Sequence, residues 1–286
     1  MPKTPVGIIS FNRPKYLFDC CKALQPQCEE RDVYFFQDGP FKDSHIKEIE
    51  SNLEIFAYFF PSGIVHKQES NLGIGYHTKY ARETLFEKYE AITTIEDDLV
   101  LCPWYVEMID ELEITFRDNE FVGMVNAFAG NTIRERNSIN DQKNNIGKMC
   151  QMDHSLAPLV WRDKYSKIQN NLLGYYETIK NINYVNKDSI KTQILDYWRK
   201  KGVNRITISQ DSAIVASMLL AGQVNISTST NNLSYIGKVG VHGDPRAYDD
   251  YGFGRWPTYP EKTTNYNCSQ EELKQIYKSM LAKYGI

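Results

Sequence analysis

Short apolar runs alternate with amphipathic stretches over the first 128 residues of the chain. The apolar runs are rich in β-branched and aromatic residues and predict strands at 4–10, 32–37, 63–68, 91–96 and 121–128. Between them, apolar residues recur at helical spacing and predict helices at 12–24, 43–58, 75–90 and 103–119. Strands and helices that alternate in this way favour a parallel sheet with helices packed on its faces.

The pattern becomes less regular after residue 128. A polar, asparagine-rich stretch at 130–148 predicts a long surface loop, and apolar residues within 154–165 return the chain to the core. Later helices are predicted at 188–202 and 209–222, and a last one follows residue 269. The change near residue 128 therefore divides two halves of one domain rather than two independent domains.

Helix-start residues support several of these bounds. Asn12 is a candidate N-cap of the first helix, with Pro14 in its first turn. Asp188 and Ser209 are N-cap candidates for two later helices, and Ser269 begins a capping-box sequence before the last one. The predicted fold class is thus an α/β domain with a mostly parallel central sheet flanked by helices.

Composition excludes few classes of protein. Of the 286 residues, 42% are hydrophobic and 24% are charged, which is ordinary for a globular domain. The net charge is −3 and the isoelectric point is about 6.0, so no basic surface indicates a nucleic-acid partner. Aromatic residues make up 13% of the chain, which fits either core packing or surfaces that stack on sugars and bases.

Two observations bear on location. The six cysteines form no CxxC pair and no regular framework, so we expect reduced thiols and a cytoplasmic protein. We expect no signal peptide, because a strand is predicted to begin within four residues of Met1, and no apolar run reaches membrane-spanning length. A peripheral membrane association, or an anchor outside this sequence, stays open.

Three consecutive acids, Glu96, Asp97 and Asp98, follow the strand predicted at 91–96. Like charges this close together raise each other's pKa and destabilise the fold unless a cation lies among them. A hard divalent cation such as Mn²⁺ or Mg²⁺ takes carboxylate oxygens and keeps positions for a substrate phosphate. The alternative is that Glu96 and Asp97 cap the turn that leads to the helix at 103–119.

Polar residues also follow the other predicted strands. In an open parallel sheet, ligands bind outside the carboxyl ends of the strands, so residues at those ends should converge. We expect such convergence among Ser10–Arg13, Asp38, Asn71–Gly75 and Glu96–Asp98. The sequence therefore predicts one site at this edge, which suits a metal ion and a diphosphate.

The stretch TTIEDDLVLCPWYVEMI resembles the metal-binding stretch of nucleotide-sugar glycosyltransferases with the GT-A fold. It is most similar to the inverting N-acetylglucosaminyltransferase I type. The motifs FNRP, NLGIGYHTKYAR, SQDSAIVASM and YIGKVGVHG resemble further parts of that group, in order, over residues 4 to 243. The resemblance implies a single Rossmann-like GT-A domain, a nucleotide-sugar donor, and Mn²⁺ or Mg²⁺ as cofactor.

The resemblance also implies roles for the acidic residues. Asp98 corresponds to the direct metal ligand, Asp97 to the residue that faces the ribose or sugar of the donor, and Glu96 to a supporting acid. Asp38 corresponds to the uridine-binding acid, although an ordinary Asp-Gly-Pro turn explains it as well. His242, in a glycine-flanked loop, corresponds to a metal ligand or a diphosphate contact.

Other residues are expected to contact the donor. They are Ser10, Asn12, Arg13, Asn71, Gly73, Lys79 and Arg82. Arg13 could face the diphosphate or the base, but it could equally be an ordinary exposed arginine. For Lys79, a solvated helix face is the favoured alternative.

Asp211 is the candidate general base, which would deprotonate an acceptor hydroxyl while a nucleotide diphosphate leaves from the opposite face. It lies in the first turn of the helix at 209–222, where the helix dipole alone also favours an acid. Candidate acceptor contacts are Trp161, Asp249, Tyr251 and Trp256. For Trp161, a core position is the favoured alternative.

These expectations combine into one functional hypothesis. Residues 1–128 would bind the nucleotide sugar, 129–260 would hold the acceptor and the catalytic base on flexible loops, and 261–286 would form a C-terminal helix. The activity would be an inverting, metal-dependent transfer from a UDP-sugar to a hydroxyl of a glycan or glycolipid.

Rival classes stay open. A nucleotidyltransferase usually has a glycine-rich phosphate loop after the first strand, which SFNRPK lacks. A dehydrogenase is disfavoured because the dinucleotide fingerprint is incomplete. A third rival, a non-catalytic module that binds a sugar or nucleotide, is also compatible with the sequence.

Overall fold

An eight-stranded sheet runs through the chain in a computed structural model that describes residues 3–129, 138–152, 154–180, 182, 184–239, 245–251, 253 and 256–286. The order of strands across the sheet is β3-β2-β1-β4-β8-β6-β9-β7. Their bounds are β1 Val6–Ser10, β2 Val33–Gln37, β3 Ile64–Lys67, β4 Ala91–Glu96, β6 Val122–Asn126, β7 Met149–Gln151, β8 Leu159–Trp161 and β9 Val224–Thr228. A separate pair consists of β5 Leu99–Leu101 and β10 Leu233–Tyr235.

Most of the central sheet is parallel. β3, β2, β1 and β4 pair in parallel, and β6 pairs in parallel with β9. β8 is antiparallel to both of its neighbours, β4 and β6, so those two strands point the same way. β7 is antiparallel to β9 at the edge. The predicted fold class, a mostly parallel sheet flanked by helices in one α/β domain, is confirmed.

Helices cover both faces of this sheet. Their bounds are α1 Pro14–Leu24, α2 Ile46–Phe59, α3 Gly73–Phe86, α4 Tyr105–Phe116, α5 Ile139–Lys143, α6 Arg162–Ile179, α7 Lys191–Lys200, α8 Gln210–Leu220, α9 Pro245–Tyr251 and α10 Gln270–Tyr284. One buried apolar cluster includes residues of α1, α2 and α4, and a second includes residues of α3, α6, α7 and α8. Because both faces are buried there, β1, β2, β4 and β6 read as largely continuous apolar runs, whereas the edge strand β3 is mostly exposed.

The first half of the chain follows the predictions closely. Each of its five predicted strands is present within about two residues of its predicted bounds, and each of its four predicted helices is present. The second half differs more. β8 and β9 were not predicted as strands, and α6 extends over 18 residues that were not predicted as a helix. Part of the loop predicted at 130–148 forms α5, while 130–137 lie outside the described residues.

Two predicted caps are wrong. Arg13 precedes α1, no side-chain cap is formed there, and Asn12 instead donates from Nδ2 to Glu48 Oε2 over 2.9 Å. Asp188 lies inside a 3₁₀ segment that precedes α7, so it does not begin that helix. The side chain of Asn12 is thus used in a contact with α2 instead of a cap.

The other predicted caps are confirmed. Ser209 Oγ accepts the backbone N–H of Ser212 at the start of α8. Ser269 and Glu272 form a reciprocal capping box at the start of α10, and that helix ends at Gly285 in the left-handed conformation. The Ser209 cap fixes the first turn of α8, which carries Asp211.

The small pair of strands matters for the site. β5 follows the three acids directly, and it pairs in antiparallel register with β10, so that Tyr235 lies opposite Leu99. This pairing brings the segment after β10 next to the acids that follow β4.

Two further observations concern the predicted location. Within the described residues, no helix combines the length and apolar character that a membrane span requires. All six cysteines are free thiols, and five of them are buried.

Lys164 is a buried cation in α6, with none of its surface exposed. Its Nζ donates to the carbonyl oxygens of Phe116 (2.8 Å) and Asn119 (3.1 Å), at the end of α4. The same ammonium group lies 3.8 Å from the ring centroid of Trp161. Burial lowers the pKa of Lys164 to about 8, although Asp163 and Glu120 oppose this shift.

We expect the stability of the protein to depend on pH through Lys164. Its folded pKa lies below the unfolded value of 10.5, so the folded state binds this proton less tightly. Relative to a Lys164→Met variant, the wild-type protein should therefore gain stability as the pH rises from 7 to 10. Urea unfolding of both proteins across this range measures the difference, with the exposed Lys167→Met as control. Parallel pH profiles for wild type and Lys164→Met would contradict the assignment.

Candidate active site at the carboxyl edge of the sheet

The ends of β1 and β4 are joined through Asp97. Its backbone N–H donates to Ile9 O over 3.1 Å. Its carboxylate oxygen Oδ2 accepts a hydrogen bond from Ser10 Oγ at 2.6 Å and one from the Phe11 backbone N–H at 3.4 Å. Only 1% of Asp97 is exposed. The carboxylate is therefore fixed by the loop that follows β1.

Arg13 supplies the positive charge that the acidic residues require. Its Nη1 donates to Asp98 Oδ2 over 2.7 Å, and its Nη2 donates to Asp97 Oδ1. Burial opposes the charge of Arg13, but the field of Asp97, Asp98 and Glu96 is stronger and raises the pKa of the guanidinium above its ordinary value. We call residues 96–98 the acidic turn, since Asp97 and Asp98 form the turn between β4 and β5.

Arg13 does not fully offset the burial and mutual repulsion of the carboxyl groups in the acidic turn. Loss of water around its carboxyl group raises the pKa of Glu96 to about 8, with further contributions from the charges of Asp98 and Asp211. Burial also raises the pKa of Asp98, against the opposing effect of Arg13. Asp98 Oδ1 is buried and has no hydrogen-bond partner among the described residues. An anionic oxygen in this condition is a ready ligand for a cation.

Residues 235–239, which we call the covering segment, lie against Asp98. The backbone N–H of Ile236 donates to Asp98 O over 2.9 Å. A Cβ atom on Gly237 would lie 2.2 Å from Asp98 Oδ2, so only glycine allows this approach. The backbone N–H of Val239 donates to Tyr16 Oη over 3.0 Å, which ties the segment to α1.

The acidic turn suits a divalent cation that borrows ligands from its substrate. No group of three His, Cys, Asp or Glu side chains within the described residues could hold a metal ion by itself. Mg²⁺ and related ions are commonly held by one or two carboxylates together with substrate phosphates. Asp98 offers one unpartnered oxygen, and Glu96 lies beside it. His242, the other predicted ligand, lies outside the described residues.

Asp38 is engaged by the loop before α3. Its Oδ1 accepts the backbone N–H groups of Gly39 (2.9 Å) and Leu72 (2.8 Å). Its Oδ2 accepts Asn71 Nδ2 (2.9 Å) and the Gly73 N–H (3.1 Å). Four donors thus occupy the acceptor positions of the Asp38 carboxylate, and the N–H group of a nucleotide base would have to displace one of them. The uridine-binding role of Asp38 stays a prediction.

Asp211 reaches the same edge from α8. Its Oδ1 accepts the backbone N–H of Ser155 over 3.2 Å and also the hydroxyl group of Ser155. The charge of Asp211 contributes to the raised pKa of Glu96, so the two carboxyl groups are electrostatically coupled. Sequence analysis did not identify Ser155. The sequence offered one indication of a role for Ser155, because it is a short polar residue next to His154 in the segment 154–165, which returns to the core.

Aromatic side chains form a cluster beyond the covering segment. Tyr248 Oη donates to Tyr235 O over 2.9 Å, and the Tyr235 ring packs against Phe253 with centroids 4.9 Å apart. Burial, together with the charges of Asp98 and Glu96, raises the pKa of Tyr235. Trp256 packs on Phe253 and is only 8% exposed.

The other predicted acceptor residues lie near this cluster. Asp249 pairs with Lys238 Nζ at 2.9 Å on the exposed side of the covering segment. Tyr251 ends α9, and its side chain lies outside the described residues. Acceptor binding by Trp256, Asp249 and Tyr251 stays a prediction.

Two predicted site residues lie away from the acidic turn. Trp161 is fully buried beneath Lys164, which agrees with the favoured alternative of a core position, and its acceptor role stays a prediction. Arg82 is 1% exposed on α3, and its charge acts on the buried Tyr165 and Tyr176. Its Nε and Nη1 are buried with no hydrogen-bond partner among the described residues, and the donor contact of Arg82 stays a prediction.

Three further predicted residues have local partners. Lys79 Nζ pairs with Glu83 one turn along α3, at 2.5 Å, as the favoured alternative of a helix face requires. Asn12 is bound to Glu48, at the same edge of the sheet. Ser10 is 3% exposed and links Asp97 to Asn52, whose Nδ2 donates to Ser10 Oγ over 3.1 Å. Their donor contacts stay predictions.

Comparison with known proteins finds similar solved structures but no matching family model or curated sequence. No protein-family model matches the sequence, and no curated protein matches it. Among solved structures, the mannosyltransferase PcManGT from Pyrobaculum calidifontis, in complex with GDP-Man and Mn²⁺, is similar with 11% identity and a TM-score of 0.38, over 59% of this chain and 47% of that chain. The chain thus spans about half the length of that protein.

A second similar structure is a putative nucleotide-diphospho-sugar transferase from Desulfovibrio desulfuricans G20. It has 14% identity and a TM-score of 0.32, over 56% of this chain and 65% of that chain. Neither protein is named as an N-acetylglucosaminyltransferase. TM-scores below 0.5 assign neither an activity nor a family to this chain, so any functional assignment must rest on the acidic turn and its surroundings.

We expect Gly237→Ala to disturb the acidic turn. The added methyl group would lie 2.2 Å from Asp98 Oδ2 and 2.6 Å from Tyr235 Oη, so the covering segment must move away. The expected loss in the free energy of unfolding is about 1–3 kcal/mol, as for other overpacked sites. Urea unfolding measures it, with Val239→Ala as control because Val239 is 62% exposed. Equal free energies of unfolding for Gly237→Ala and Val239→Ala would contradict the close approach of Gly237 to Asp98.

Proposed function

We propose that this chain is a glycosyltransferase of the GT-A type that transfers a sugar, with inversion, from a nucleotide diphosphate to a hydroxyl group of a glycan or glycolipid. The observation that carries the proposal is the acidic turn. A buried carboxylate with an unpartnered oxygen, Asp98, lies at the carboxyl edge of a parallel sheet and is coupled through Glu96 to Asp211. This is the edge where open α/β sheets bind their ligands.

The donor would bind over the loops that follow β1, β2 and β3. Asp98 would hold Mn²⁺ or Mg²⁺ with Glu96 beside it, and the ion would supply positive charge to a departing diphosphate. Arg13 would contact the phosphates, Asp97 the ribose or sugar, and Asn71 and Gly73 would let the backbone approach the nucleotide. A UDP-sugar, and the N-acetylglucosaminyl type in particular, are proposed from the resemblance of the sequence alone.

Asp211 would act as the general base. Ser155 holds Asp211 Oδ1 with two hydrogen bonds, so the carboxylate has a fixed orientation. An acceptor hydroxyl would lose its proton to the Asp211 carboxylate as its oxygen attacks the anomeric carbon. The bond from that carbon to the diphosphate oxygen would break, and the electron pair would leave with the diphosphate.

The two layers of helices support inversion. α1, which follows Arg13, packs in one apolar cluster, whereas α8, which carries Asp211, packs in the other. α1 and α8 therefore pack on opposite faces of the sheet, which would let Arg13 and Asp211 reach a bound donor from different sides. An inverting displacement requires this arrangement, because the nucleophile and the leaving group occupy opposite faces of the sugar.

Nucleotide binding tests the proposal most directly. At a UDP concentration 100-fold above Kd, we expect Mn²⁺ and UDP together to raise the Tm by about 5 °C. UDP with a chelator should give little change. The Asp98→Asn variant should lose the shift, whereas Asp196→Asn, at an exposed acid of α7 that pairs with Arg199, should keep it. Indifference of the wild-type Tm to UDP, GDP and other nucleotides with Mn²⁺ would refute the proposal.

Turnover tests the role of Asp211. We expect Asp211→Asn to lower kcat by about 10²–10⁴-fold with little change in the KM for the donor, because the amide cannot accept the proton. Ser155→Ala should lower kcat less, since it only loosens Asp211. UDP release from UDP-sugars in the presence of glycan acceptors measures both. A kcat for Asp211→Asn within twofold of the Asp196→Asn control would exclude Asp211 as the base.

A further inference from the structure

Asp97 and Asp98 are held in very different ways. Asp97 receives hydrogen bonds from Ser10 Oγ, from the Phe11 N–H and from Arg13 Nη2. Asp98 receives Arg13 Nη1 on Oδ2, while Oδ1 has no partner among the described residues. Removal of Nη1 from Asp98 would therefore leave Asp97 in place and free the carboxylate of Asp98.

Arg13 itself is placed to move without leaving the site. A quarter of its side chain is exposed, and its guanidinium lies 5.5 Å from the ring centroid of Tyr16. The bond to Asp97 can act as a pivot, since that carboxylate is fixed by the β1 loop. A guanidinium also matches a phosphate group with parallel N–H donors. Arg13 can thus exchange a carboxylate oxygen for a phosphate oxygen.

We propose that Arg13 is a positioning residue that competes with the divalent cation for Asp98, and that a bound diphosphate relieves this competition by accepting the hydrogen bond that Asp98 loses. This inference rests on the proposed function, because it uses the diphosphate of the donor. Its consequence is that the cation and the nucleotide bind together, since each removes an obstacle to the other.

The physical basis is charge and ligand sharing. An arginine and a divalent cation beside one carboxylate repel each other, and while Arg13 holds Asp98 Oδ2 the cation is left with Oδ1 alone. A diphosphate adds negative charge, which compensates for both cations. By linkage, any increase in Mn²⁺ affinity that UDP causes must appear as an equal increase in UDP affinity caused by Mn²⁺.

The alternative is that Arg13 permanently replaces the metal. In that case Arg13 would hold the diphosphate by itself, and UDP binding would not need a divalent cation. The two possibilities differ in what they predict for Mn²⁺ when Arg13 is removed. Competition predicts that Mn²⁺ alone binds more tightly, whereas replacement predicts weaker UDP binding with no change in Mn²⁺ binding.

Binding of Mn²⁺ alone, measured from the electron paramagnetic resonance signal of the free ion, tests the competition. We expect Arg13→Gln to bind Mn²⁺ roughly tenfold more tightly than wild type, because a neighbouring positive charge is removed. We expect UDP, measured by calorimetry at saturating Mn²⁺, to bind the variant roughly tenfold more weakly. The factor by which UDP tightens Mn²⁺ binding should be smaller in the variant than in wild type, and what is left of it reflects the phosphate ligands that UDP itself supplies.

Controls separate these effects from loss of structure. Loss of Arg13 leaves buried acids uncompensated, so circular dichroism must show that Arg13→Gln is folded. The double variant Arg13→Gln, Asp97→Asn keeps the net charge of wild type and should also bind Mn²⁺ alone more tightly. Asp98→Asn should abolish Mn²⁺ binding in every background.

The outcomes distinguish this inference from the proposed function. Mn²⁺ binding by the folded variants that is no tighter than in wild type overturns the competition, whatever UDP does. UDP binding to wild type that is unchanged by a chelator overturns it in favour of permanent replacement. If Arg13→Gln tightens Mn²⁺ binding but no nucleotide binds to wild type, the competition stands and the nucleotide-sugar function fails.

Discussion

The site depends on one interaction, the contact of the Arg13 guanidinium with the carboxylates of Asp97 and Asp98. Two acids with 1% and 2% exposure cannot both be ionised at the end of a strand without a cation between them. The topology makes the contact possible, because β1 and β4 are neighbours in the sheet and their carboxyl ends lie side by side. The loop after β1 can therefore deliver both a fixed hydrogen-bond donor, Ser10, and a positive charge.

The β5–β10 pair adds a second constraint to the same carboxylates. β5 starts immediately after Asp98, so its pairing with β10 fixes how the covering segment crosses the acidic turn. The close approach of Gly237 follows from this register, and it closes one side of Asp98 to any side chain. The surroundings of Asp98 Oδ2 thus depend on long-range strand pairing as well as on the local acidic sequence.

The sequence predicted the parts of the structure that local pattern determines. Buried parallel strands give continuous apolar runs, so β1, β2 and β4 and the convergence of Ser10, Arg13 and the acids were predictable. β8 was not, because three residues give no periodicity, and its antiparallel insertion between β4 and β6 depends on distant partners. Likewise, the burial of Trp161 under Lys164, and of Arg82, follows from the packing of α6 on other helices.

Asp211 shows why an acidic residue near a helix start is hard to interpret from sequence alone. The helix dipole explains an acid in the first turn of α8 without any catalytic role. The structure adds what the dipole does not require. Ser155 fixes one oxygen of Asp211, and the carboxylate lies close enough to Glu96 to raise its pKa. An acid retained beside another acid destabilises the fold, so its placement at this edge argues for a use of that charge rather than for helix capping alone.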